Sequence, residues 1–152
     1  MSLWQQLARM YNAFVASGSA EKNITYDVFP SGAAGVTLTS GAANVYGVFA
    51  QLAAAATVTV DVWLCGIHLS TPNTSATSYT VQAAEGAAGA EVGSVAVPFQ
   101  QIEATAAGRT TSVVIPIPYP RHILAATRIS ARCQDVTGAS TIVCKVLYAI
   151  NL

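Results

Sequence analysis

Thr57-Val-Thr-Val-Asp-Val-Trp-Leu-Cys-Gly-Ile-His-Leu69 decides the fold class. Val58, Val60, Val62 and Leu64 alternate with Thr57, Thr59, Asp61 and Trp63, the period of two that marks a half-buried strand. Working outward, the same pattern predicts strands over 24–29, 35–40, 44–52, 79–83, 91–97, 110–117, 126–134 and 141–150. Pro30-Ser31-Gly32 closes the first of these, and 70–78 is a polar loop carrying Pro72. Pro116, Pro118 and Pro120 force an extended edge segment, because proline cannot donate to a central ladder. Gly138-Ala139 reads as a two-residue hairpin turn joining the last two strands. That register sets Cys133 opposite Cys144 and Arg132 opposite Lys145. Eight to ten short strands with no helix between them predict an all-β protein, an antiparallel β-sandwich or jelly roll.

The N-terminus differs. Residues 2–16 carry Leu3, Trp4, Leu7, Tyr11, Phe14 and Val15 near one face at helical spacing, with Gln5, Gln6, Arg9 and Asn12 mostly on the other. Ser2 can cap the start and Gly18 can end it. Such a helix either packs on its own sheet or docks as an arm, with Trp4, Leu7, Tyr11 and Phe14 as the docking residues. The chain thus divides into an amphipathic helical arm over 1–20 and a sandwich domain over 21–152. The segment lacks the basic start and unbroken apolar run of a signal peptide.

At 152 residues the chain makes about one domain. Seven basic and seven acidic residues cancel, which argues against nucleic-acid binding as the main task. No apolar run reaches the ~20 residues of a membrane helix. Charged residues are 9 % of the chain, against about 25 % in an ordinary soluble domain. Such a surface is either rich in Thr, Ser, Gln and Asn, or buried against copies of itself or a partner.

The inventory for chemistry is thin, with two histidines, three aspartates and four glutamates. Cys65 and His68 have half a zinc spacing, but three residues apart on a regular strand they face opposite sides. His122 has no nucleophile motif beside it. The stretch 85–91, Glu-Gly-Ala-Ala-Gly-Ala-Glu, lacks the lysine and following helix of a phosphate loop and reads as a turn or bulge. Three cysteines are no disulfide framework; Cys133 and Cys144 are either buried thiols or a cross-strand bridge. No enzymatic activity, cofactor or metal is expected. Arg128, Arg132 and Lys145 are candidates for ion pairs, either within the chain or across a subunit boundary.

Three motifs in order carry a resemblance. Arg128-Ile-Ser-Ala-Arg-Cys-Gln134 within 118–135, Gly86-Ala-Ala-Gly-Ala-Glu91, and Asn44, Gly47 and Leu52 within 44–52 are similar to segments of a group of tailed-bacteriophage virion proteins. The resemblance covers most of 35–150 and excludes the arm. It departs at Ala125-Ala126, where the group often has an Ala-Gly turn. It implies a virion surface component of sandwich or jelly-roll fold without enzymatic activity. The leading expectation is a capsid decoration or cement protein, a homotrimer assembled in the host cytoplasm. It would bind the major capsid protein or another virion protein and stabilise the head. The alternative is a tail-fibre or receptor-binding domain that grips host glycan through Trp63, Tyr46, Tyr79 and Tyr119.

Overall fold

The computed structural model describes residues 24–32, 34–72, 78–100 and 112–152, without the side chains of 94–100. The predicted arm over 1–20, with Trp4, Leu7, Tyr11 and Phe14, lies outside the described residues. Among those described, every regular element except one short 3-10 turn at Ala55–Thr57 is a strand. The strands are β1 (Thr25–Phe29), β2 (Val36–Thr39), β3 (Ala50–Ala53), β4 (Val62–Ser70), β5 (Ser78–Glu85), β6 (Val92–Gln100), β7 (Ser112–Ile123), β8 (Ile129–Asp135) and β9 (Thr141–Ile150).

They form two antiparallel sheets. The first has the order β1-β9-β4-β7, with β2 also paired to β9; the second has the order β3-β8-β5-β6. β1 and β2 lie end to end along one side of β9, β1 against 146–150 and β2 against 141–144. Counting them as a single strand, the sheets read 1-8-3-6 and 2-7-4-5 in chain order, which is the connectivity of a jelly roll. Among the described residues, the only strands adjacent in both sequence and sheet are β5 and β6, joined through the 86–90 turn. There Gly86 and Gly89 hold positive φ, as a turn at this place requires.

The inner faces meet in one core. Leu38, Leu64, Ile67, Tyr79, Ile129 and Val146 are among its fully enclosed side chains, and Phe29 stacks on Tyr148 with centroids 4.2 Å apart. Alternation assigns most of these correctly, with Val62 and Leu64 inward on β4. Val60 is exposed instead, because the chain before β4 is a turn and bend, and the strand begins at Val62.

Two sequence expectations fail here for one reason each. The terminal hairpin does not form. β8 belongs to the second sheet and β9 to the first, so the 136–140 connection crosses the sandwich. Arg132 therefore does not oppose Lys145. Cys133 and Cys144 lie on the inner faces of different sheets as free, buried thiols. Burial pushes both up to about 12, helped for Cys133 by the Asp135 carboxylate. The second failure is at Cys65. It is an extra residue against β9, and the register to both β9 and β7 jumps between Leu64 and Gly66. This bulge reverses the alternation, so Cys65 and His68 share the outer face.

β7 answers that bulge with an excursion. Gly66 pairs with Pro116 and Leu64 with Arg121, which leaves 117–120 arched opposite Cys65. Ile117 turns into the core while Tyr119 stands 89 % exposed. Prolines suit this place, since β7 is an edge strand and needs no donors on its open side. After β7 the chain turns through Ala126, which holds φ +58 and donates its N–H to the Val58 carbonyl at 2.7 Å. A β-carbon is strained in this left-handed region. Ala126→Gly is expected to raise stability by about 0.5–1 kcal/mol, the relief of strain exceeding the added chain entropy. A urea midpoint at or below that of the wild type would contradict the assignment of strain.

Candidate interaction site

The outer face of the second sheet carries the most organised polar cluster. Ser130, Arg132 and Gln134 point outward from β8, since Ile129, Ala131, Cys133 and Asp135 point in. The predicted strand over 44–52 is regular only from Ala50. Before that, the chain still runs along β8: Asn44 donates to the Asp135 carbonyl at 2.7 Å and Gly47 to the Cys133 carbonyl at 2.9 Å. This lays Tyr46 and Phe49 over β8.

Arg132 is clamped between them. Its guanidinium carbon lies 4.5 Å from the Tyr46 ring centroid and 4.3 Å from that of Phe49. Its Nε donates to Gln82 Oε1 at 2.8 Å, from the neighbouring strand β5. Gly93 on β6 leaves the room for that amide, because a β-carbon there would come within 2.3 Å of Gln82 Nε2. Two ring faces and one hydrogen bond thus fix a half-buried cation whose terminal Nη donors have no partner among the described residues. On the same strand face, the fully buried Ser130 Oγ has no hydrogen-bond partner among the described residues.

Most other ionic groups among the described residues are satisfied within the chain. Arg128 donates to Glu91 Oε1 at 2.6 Å and to Gln51 Oε1 at 3.1 Å, and its hydrogen bond holds the Glu91 carboxyl below its usual range. Arg121 on β7 reaches Glu85 on β5 at 2.5 Å, tying the two sheets at their rim. Lys145 donates to the Gly32 carbonyl at 2.7 Å. His122, predicted in a loop, lies on β7, meets Asp61 at 3.2 Å and packs against Trp63 with centroids 4.5 Å apart. Asp27, exposed on the edge strand β1, carries no cation among the described residues.

The aromatics named for a glycan site do not converge. Tyr79 is 1 % exposed in the core, Tyr46 covers Arg132, and Trp63 and Tyr119 belong to the first sheet. His68 Nε2 and Ser112 Oγ lie 2.7 Å apart on the outer face of that sheet. No sequence signal pointed to this contact, because β4 and β7 are paired across more than forty residues. Among the described residues no group of three or more His, Cys, Asp or Glu is placed to hold a metal ion, so Cys65 and His68 find no further ligands there.

No family model matches the sequence, and no curated protein matches it. Among solved structures, the chain is similar to one in the structure of infectious bursal disease virus, Gt strain. The identity is 12 %, the TM-score is 0.33, and the match covers 87 % of this chain and 31 % of that one.

Proposed function

We propose that this chain is a virion structural protein that decorates and stabilises the head of a tailed bacteriophage, and that it is not an enzyme. The observation that carries the reading is that most charged side chains among the described residues are engaged within their own chain. Arg121, Arg128, His122 and Asp135 all have partners in their own chain. Val45, Val48, Val114, Tyr119 and Leu124 meanwhile stand exposed. Interface cores are depleted in charge in this way, whereas a free monomer relies on charge to stay soluble. The jelly-roll connectivity and the ordered motifs at 44–52, 86–91 and 128–134 support the same reading. The arm, through Trp4, Leu7, Tyr11 and Phe14, is the proposed contact with the capsid protein. Binding only to the assembled head would stabilise it by mass action.

The test is co-sedimentation of the purified chain with expanded heads prepared without it. Saturable pelleting is expected, and it should be lost when residues 1–17 are deleted. A chain that stays in the supernatant over excess heads would overturn the reading. Pelleting of the deleted form at the level of the full chain would remove the arm from it.

A further inference from the structure

We propose that Arg132 is the receptor for Asp27 of a second copy of this chain. The proposal rests on the reading of the chain as an assembly protein. Of the three arginines described, Arg121 and Arg128 hold carboxylates of their own chain, and Arg132 holds none. Its ring faces and Nε are occupied, so the edge carrying the Nη donors remains for a ligand. A planar two-oxygen acceptor matches that edge in shape and charge, and a carboxylate is such a group. The clamp also removes most of the rotamer freedom an arginine usually loses on binding.

Charge complementarity selects the occupant. Asp135, Glu85 and Glu91 are engaged by donors in their own chain, and Asp61 by His122 and the Ala125 N–H. Asp27 is the exposed side-chain carboxylate among the described residues that has no cation or imidazole beside it, whereas Asp135 is buried. Among the described residues Asp27 accepts only the Val28 N–H at 2.8 Å and the Tyr148 hydroxyl at 3.5 Å. One chain cannot close this pair itself. Arg132 points away from the first sheet, on whose edge Asp27 lies. Two copies can. The contact pairs two different residues, so it forms either twice about a twofold axis or once per copy in a head-to-tail series.

Sedimentation equilibrium of the full chain, without heads, tests this. The wild type should associate, and salt should weaken the association. Arg132→Gln and Asp27→Asn should each weaken it by at least ~30-fold, the effect of removing one partner from a partly buried, hydrogen-bonded charge pair. The swap D27R/R132D should restore most of the loss. Lys145→Gln, whose ammonium is held by a carbonyl, should leave association unchanged. Arg132 also supports the 44–49 loop, so its variant is read beside a thermal melt. Asp27 is exposed on an edge, and its variant tests the contact without that concern. A wild type that stays monomeric, an Asp27→Asn chain that associates normally, or a swap that restores nothing would overturn the proposal. Head pelleting without self-association would overturn this contact and leave the proposed function standing. Self-association without head pelleting would do the reverse.

Discussion

Gly47→Ala is expected to abolish the cooperative fold. A β-carbon at Gly47 would sit 1.8 Å from the Thr39 carbonyl oxygen and 2.9 Å from the Thr39 carbonyl carbon. Both are backbone atoms of β2, so no side-chain rotation relieves the clash. The loop cannot retreat the other way, because the Gly47 N–H is bonded to the Cys133 carbonyl of β8 at 2.9 Å. Gly47 is thus wedged between an edge strand of the first sheet and a central strand of the second. Moving it would break the β8 contact and dislodge Tyr46 and Phe49 from Arg132. The loss should exceed about 4 kcal/mol, the range reserved for backbone or core disruption. Domains of this kind have only about 5–15 kcal/mol in total. Urea unfolding followed by circular dichroism measures it. A cooperative transition within about 1 kcal/mol of the wild type would show that the loop can slide.

Asp135→Ala should cost about 3 kcal/mol, because it strips the acceptor from several donors at once. The carboxylate is 2 % exposed. One oxygen accepts from Ser40 Oγ at 2.5 Å and the Gly138 N–H at 2.9 Å. The other accepts from the Thr137 N–H at 3.0 Å, from Ser140 Oγ at 2.8 Å and from the Thr137 hydroxyl. Burial alone would raise this carboxyl, but the Ser40, Thr137 and Ser140 bonds outweigh burial and bring it down to about 2. Because the folded value lies below the ordinary 3.8, its contribution is fully present above that pH. It is lost as pH falls from about 4 toward 2, by about 2 kcal/mol. The stability gap between wild type and Asp135→Asn should therefore narrow over that window. A gap that stays constant to pH 2 would show that the carboxylate is not specially held in the fold.

These two residues also mark where sequence reading stops. The strands were legible because one face of each is buried, and burial imposes a period of two on residues such as Val62 and Leu64. Partners were not. Gly138-Ala139 has the local chemistry of a hairpin, yet Asp135 gathers Ser40 and Ser140 and ties the turn to the 41–44 loop, so that β9 leaves for the other sheet. No local rule reports a hydroxyl ninety-five residues away. The bulge at Cys65 was equally hidden, since alternation counts residues and cannot see one that pairs with nothing. Arg132 was singled out from its strand face alone. Its clamp needed Tyr46, Phe49 and Gln82, which come from two other parts of the chain. The second candidate, Arg128, proved to be occupied by Glu91, a partner on the far side of the β5–β6 turn.

The place of β9 has a consequence for the order of events in the cell. It pairs with β1, β2 and β4, so the first sheet is built around it, yet it follows all the other strands in the chain. A ribosome adding about 5–20 residues each second makes the earlier strands many seconds before their central neighbour exists. Until then β1 and β2 lack their strand partner and β4 has only β7, although β4–β7 and the pairs of the second sheet all precede β9 in the chain. The first sheet can therefore be completed only once β9 has been made, through contacts between distant parts of the chain. Cells that make it in quantity should hold it on chaperones before β9 closes the sheet.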